Sequence, residues 1–220
     1  LELENTLTEL QSKETEISNF FELSLEIMCV AHQDGYFKRI NPSFQSILGY
    51  SNQELLNKPF IDFVHPDDVE ATLKAGENLS LGKKVTGFEN RYRCQDGSYR
   101  WLKWMATSYK GLTYATAHDL TQQKLTQELQ NRQLAAMETA TDGIGILNED
   151  KFIYVNQAHL DIFGYSQPEE LLGQSWRILY QPKRLAEFDQ EILPVLQDKG
   201  KWQGVVQAKH KDGHIFDEEL

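Results

Sequence analysis

NPSFQSILGYSNQELLNKP fills residues 41–59, and NQAHLDIFGYSQPEELLGQS fills residues 156–175. Asn41, Ile47, Gly49, Tyr50 and Ser51 return 115 residues later as Asn156, Ile162, Gly164, Tyr165 and Ser166. One residue is then inserted. Glu54, Leu55, Leu56 and Pro66 return at a spacing of 116 as Glu170, Leu171, Leu172 and Pro182, and Asp96-Gly97 returns as Asp212-Gly213. Phe37 matches Phe152 on the near side. A period this long is not a solenoid repeat; it reads as two copies of one domain.

Local chemistry accounts for the repeated words. Asn41 before Pro42 predicts an N-cap followed by proline at the first helical position. Phe44, Ile47 and Leu48 give one apolar face, and Gly49 ends the helix in a left-handed conformation. Ser51 to Glu54 reads as a capping box, and Ser166 to Glu169 as another. Pro66 with Asp67 and Asp68 opens a further helix, its acids facing the positive helix end. In the second copy Pro182 opens the equivalent helix, and Pro194 is expected to end or kink it.

Strands flank these helices. Residues 28–41 predict two short strands around Gln33-Asp34-Gly35. Residues 88–108 predict a hairpin turning at Asp96-Gly97, and residues 112–120 a final strand. Strands, short helices and a closing meander make an α+β domain: an antiparallel sheet of about five strands with helices on one face.

Composition bounds the function. The chain has 220 residues, enough for two domains of about 100 each, and 40% of them are hydrophobic. Acids outnumber bases 33 to 22, giving a net charge of −11, which disfavours binding to nucleic-acid phosphates. No apolar run reaches membrane-spanning length. The N-terminus lacks a signal-peptide pattern. Cys29 and Cys94 form no C-x-x-C pair, which fits a reducing, cytoplasmic setting.

The residues also carry a resemblance. D-G-x-F-x-x-I-N at 34–41, F-x-x-I-L-G-Y-S-x-x-E-L-L at 44–56, V-H-P-D-D at 64–68, R-x-R-C-Q-D-G-S-Y-R-W-L at 91–102 and G-L-T-Y-A-T-A-H-D-L-T-Q-Q-K at 111–124 resemble the PAS domains of bacterial signalling proteins. The second copy resembles them too, with Glu149-Asp150-Lys151 in place of the Asp-Gly turn. It stops seven residues after Gly213, so its last strand is expected to be missing and an edge left unpaired.

The expected layout is a helical lead at 1–18, a first domain at 19–121, a linker helix at 122–137 and a second, incomplete domain at 138–220. Leu3, Leu10 and Ile17 lie seven apart in the lead, with Leu7 and Phe21 as a second row, which suggests pairing in a homodimer. Leu125, Leu129, Leu134 and Met137 pattern the linker similarly. Asp119 and Thr121 match the Asp-Ile-Thr motif through which, the resemblance implies, such domains hand a signal to a helix. The following Gln122-Gln123-Lys124 lacks the usual acid, so an ion pair there is not expected.

The resemblance implies a sensory region that binds a small ligand or a partner and regulates a C-terminal output domain. A histidine kinase is the first expectation and a diguanylate cyclase the alternative. A rival reading is a ligand-free dimerisation module. The ligand pocket is expected between sheet and helices, from Met28, Val30, Phe44, Leu48, Tyr50, Phe63 and Trp104. No catalytic residues are expected: there is no phosphate loop, catalytic triad or phosphoacceptor motif. The cofactor is left unknown. Haem is disfavoured because no histidine lies on the long helix, and covalent flavin chemistry because neither cysteine has the photosensor context. His210 and His214 flank the Lys211-Asp212-Gly213 turn without a completing ligand set, so no metal site is expected.

Overall fold

In the computed structural model, which describes the backbone of residues 2–220 and side chains from Asn5 onward, the chain divides into two compact units, 1–127 and 128–220. The Leu3 side chain, counted in the heptad of the lead, lies outside the described residues.

The first unit begins with helix α1 (Glu2–Glu22) and two strands, β1 (Ile27–His32) and β2 (Phe37–Ile40). Short helices α2 (Ser43–Leu48) and α3 (Asn52–Leu56) follow, then two 3-10 turns and the longer α4 (Val69–Ser80). A meander of β3 (Val85–Arg93), β4 (Tyr99–Tyr109) and β5 (Leu112–Asp119) closes the unit. The sheet is antiparallel in the order β2-β1-β5-β4-β3, so the last strand lies at its centre, between the first strand and β4. Ile27, Phe37, Phe44, Leu48, Leu55, Phe63, Leu102 and Trp104 are buried in one core between the sheet and the short helices.

The local signals act largely as read. Gly49 caps α2 at φ +81°, and Ser51 with Glu54 forms the capping box of α3. One reading changes. Asn41 is fully buried and does not cap α2. Its Oδ1 accepts the Met28 N–H at 2.9 Å, while its Nδ2 donates to the carbonyls of Glu26 (2.8 Å) and Ser24 (3.2 Å). It clamps the chain as it enters β1, satisfying backbone groups that burial would otherwise strand.

Helix α5 (Thr121–Glu138) leads into β6 (Gly145–Asn148) and β7 (Lys151–Val155). Helix α6 (Gln157–Phe163) ends at Gly164, φ +76°. Here Asn156 does both jobs. It caps α6 through the His159 N–H (2.9 Å), and it also ties Ile144 N, Met137 O and Asp142 O. The second capping box uses Glu170 rather than Glu169: its carboxylate accepts from the N–H groups of Ser166 and Gln167.

After α7 (Pro182–Glu187), a π-helical turn at Phe188–Ile192 leads into α8 (Leu193–Lys199). Pro194 therefore sits in the first turn of α8, where its missing N–H costs nothing, and the wider turn before it removes the expected break. The hairpin β8 (Val205–Lys209) and β9 (Ile215–Glu219) follows. The second unit thus holds two separate two-stranded sheets, β6-β7 and β8-β9, instead of one sheet. In the first unit β5 joins the two equivalent hairpins; no fifth strand is present among the described residues of the second.

Candidate functional site

Sheet alternation sorts the expected pocket residues. Strand β1 turns Ile27, Cys29 and Ala31 inward and leaves Met28 and Val30 half-exposed on the opposite face. Met28 and Val30 therefore do not join the interior pocket. They line a groove of about 510 Å³ on the outer sheet face, with Phe20 and Phe21 of α1 and Met105 and Tyr114 of the sheet. Phe44, Leu48 and Phe63 are packed core residues. Tyr50 lies edge-on to Phe63 at 4.9 Å and donates its hydroxyl to the Cys94 carbonyl at 3.1 Å.

Of the seven, Trp104 alone lines the interior cavity, a space of about 90 Å³ between the sheet and α4. Cys29, Phe37, Phe60, Leu79, Phe88 and Tyr92 complete its apolar wall. Burial pushes the Cys29 thiol up to about 12, so it stays neutral at physiological pH.

One polar chain crosses this wall. Trp104 Nε1 donates to Asn90 Oδ1 at 2.9 Å, and Asn90 Nδ2 donates to Thr72 Oγ1 at 3.0 Å. Thr72 Oγ1 donates to the Asp68 carbonyl at 2.7 Å. The Asp68 carboxylate receives the Arg91 N–H, Nε and Nη2 at 2.8, 2.9 and 2.8 Å. Those bonds from Arg91 hold Asp68 below the usual carboxylate range. Asn90 and Thr72 were missed in the sequence. The signal was there: Asn90 sits between Phe88 and Tyr92 at strand period, a polar residue on the inward face.

The end of the first unit is tied to α5. The Asp119 carboxylate accepts the Thr121 N–H at 2.8 Å and its hydroxyl at 2.5 Å. Thr121 Oγ1 in turn accepts the Trp101 N–H at 2.9 Å, and Leu120 N–H donates to the Trp101 carbonyl at 2.8 Å. Lys124 pairs with Glu89 at 2.7 Å, so the ion pair that the Gln-Gln-Lys run argued against is supplied by a neighbouring strand. The start of α5 is thereby fastened to β3 and β4, the two strands that carry Asn90 and Trp104.

Residues 37–112 match the family described as PAS fold, and residues 141–220 match the family described as PAS domain. The chain belongs to the PAS family, as two domains in tandem. Both matched families are PAS domains. A probable diguanylate cyclase, DgcE, of Escherichia coli (strain K12) is 23% identical over 217 residues, which is 93% of this chain and 20% of that protein. The chain thus spans about a fifth of the length of that curated relative. Among solved structures, the PAS domain of an HTR-like protein from Haloarcula marismortui is similar at 22% identity and a TM-score of 0.47, covering 53% of this chain and 98% of that one. A domain of a sensory box sensor histidine kinase/response regulator from Geobacter sulfurreducens is similar at 17% identity and a TM-score of 0.45, covering 50% and 96%. Among the described residues no helix is long and apolar enough to cross a membrane.

The second PAS domain carries a titratable ring at one core position. His159 stands where the first has Phe44, is 7% exposed, and packs against Phe152 and Phe163 at 5.3 and 4.6 Å between ring centroids. Its Nδ1 is buried without a hydrogen-bond partner. Burial lowers its pKa to about 4, so the ring is neutral at pH 7.

Proposed function

We propose that the first PAS domain senses a small, uncharged, largely apolar molecule in the cavity behind Trp104 and passes its occupancy to α5 through Asp119 and Thr121. The observation that carries this reading is the shared scaffold. Trp104 and Trp101 lie on one strand, the first lining the cavity and the second bonded to Thr121. The polar chain from Trp104 to Asp68 bonds its members to one another, and most of the remaining wall is apolar, which favours apolar over charged ligands. A ligand that binds one sheet arrangement better than another shifts the population between them, and α5 is fastened where that shift would be felt.

The full-length protein that α5 and the second domain serve is read as a sensor histidine kinase acting in a two-component system in the cytoplasm. The similarity to a probable diguanylate cyclase supports the alternative output, a cyclase. Homodimerisation through the helical segments is supported by Leu10, Ile17 and Phe20 of α1, which are 57%, 68% and 75% exposed.

Native and denaturing mass spectrometry of the purified chain, with benzene as an added probe, tests the sensing claim. The expected result is a mass shift in the native spectrum that Trp104 variants alter. A native mass unchanged by saturating benzene would contradict it.

A further inference from the structure

The two domains make the same hairpin turn with different flanks. In the first, Cys94-Gln95-Asp96-Gly97-Ser98 closes it, with Asp96 Oδ1 accepting the Ser98 N–H at 2.9 Å and Gly97 at φ +86°. In the second, His210-Lys211-Asp212-Gly213-His214 closes it, with Asp212 Oδ1 accepting the His214 N–H at 3.0 Å and Gly213 at φ +98°. The aspartate and the glycine build the turn in both. His210 Nδ1 accepts the Asp212 N–H at 3.3 Å. His214 Nδ1 meets Asp212 Oδ1 where, in the first domain, Ser98 Oγ donates to Asp96 Oδ1 at 2.6 Å. A cysteine and a serine suffice as flanks there, and the second domain places two imidazoles instead.

They converge. The rings stack with centroids 4.4 Å apart and planes at 25°. His210 Nδ1 lies 3.0 Å and His214 Nδ1 2.6 Å from Asp212 Oδ1. One donor atom from each of the three residues falls within 4.8 Å of the others.

The set is held by the domain rather than by the turn alone. The Lys211 N–H donates to the Phe163 carbonyl at 2.9 Å, and the His210 N–H to the His214 carbonyl at 3.0 Å. The half-buried His210 ring lies directly on Gly164, where a Cβ would come within 2.1 Å of it. Gly164 is thus required twice, for its left-handed φ and for this seat. The turn's own cation, Lys211, is drawn off to the Glu170 carboxylate.

We propose that His210, Asp212 and His214 form a site for one d-block dication of the Zn²⁺ kind, with water completing the coordination. Two imidazoles and a carboxylate suit zinc, nickel or copper. In a tetrahedral zinc site the donors stand about 3.3 Å apart. His214 and Asp212 are exposed and His210 is half-buried, so the adjustment to that spacing would fall to the first two side chains. Such an ion would staple the tip of the β8–β9 hairpin beside the end of α6. This replaces the expectation from spacing alone, which found no third ligand: the turn brings Asp212 between the two histidines.

The test is calorimetric titration of the tag-free, chelator-treated chain with Zn²⁺, beside His214→Ser, Asp212→Asn and the exposed control His32→Ala. The expected result is one equivalent bound, weakened about tenfold or more by each of the first two changes and unaltered by the third. His214→Ser restores the flank of the first domain, and circular dichroism checks that it folds. Absence of stoichiometric binding, or equal affinity in wild type and His214→Ser, would overturn the site.

Discussion

Phe44 and His159 hold the same place in their two domains. Phe44 meets Phe37 edge-on at 5.0 Å and 65°, and His159 meets Phe152 at 5.3 Å and 70°. One core contact is thus made by an apolar ring in the first domain and by a titratable ring with an unpartnered nitrogen in the second.

Acid should therefore weaken the second domain selectively. Its folded-state pKa of about 4 lies below the ordinary histidine value, so the unfolded chain binds the proton more readily. The stability is complete above about pH 6.5 and is lost progressively as pH falls toward 4, by about 2 kcal/mol once solvent screening is allowed for. His159→Phe should flatten this dependence. Calorimetric scans between pH 7 and 4 check it, and an unchanged pH slope in the variant would count against it.

The two buried asparagines should differ in worth. Asn41→Ala strands the Met28 N–H and two carbonyls, at a cost of about 2 kcal/mol. Asn156→Ala does the same and also uncaps α6, adding about 1 kcal/mol. Denaturant or thermal unfolding of both variants measures the gap; equal losses would show that the cap contributes nothing.

Trp104→Phe should leave Asn90 Oδ1 buried without its donor. The expected loss is about 1–3 kcal/mol in the first domain, with a larger cavity behind it. Trp104→Phe combined with Asn90→Leu, which removes both partners, should recover much of that loss. No recovery would mean that packing of the indole, not its bond, is what matters.

Asp119→Ala should keep the fold and loosen the junction. The amides of Thr121 to Lys124 are expected to exchange faster, while those of the β3–β4 ladder keep their protection. In the full-length protein the variant should lose regulation of its output. Hydrogen exchange unchanged at Thr121 would remove the clamp from the coupling route.

Leu10→Asp with Ile17→Asp should lower the mass observed in solution if α1 pairs with its copy. Light scattering reads this directly, and a mass equal to wild type would leave α1 without that role.

The fold was legible because its signals are local. Gly49 and Gly164 stop helices by backbone conformation, Ser51 with Glu54 closes a box within four residues, and Asp96-Gly97 turns a hairpin. The site was less legible because it depends on which face a residue takes. Met28 and Val30 are apolar and in the right strand, but alternation points them outward and gives the cavity to Cys29 and Ala31. Asn41 was read as a cap from its neighbour Pro42; its real partners lie 13 to 17 residues earlier, beyond any local pattern. The His210–Asp212–His214 cluster was visible as letters, and only the turn's closure made the third donor apparent.

The most direct test of sensing and coupling together is a ¹H–¹⁵N NMR titration of the chain with benzene. The Trp104 indole N–H and the Thr121 amide should move along one binding curve with one midpoint, and Asp119→Ala should keep the first shift while losing the second. A Trp104 signal that stays still at saturating benzene, or a Thr121 signal indifferent to it, would contradict a ligand cavity wired to α5.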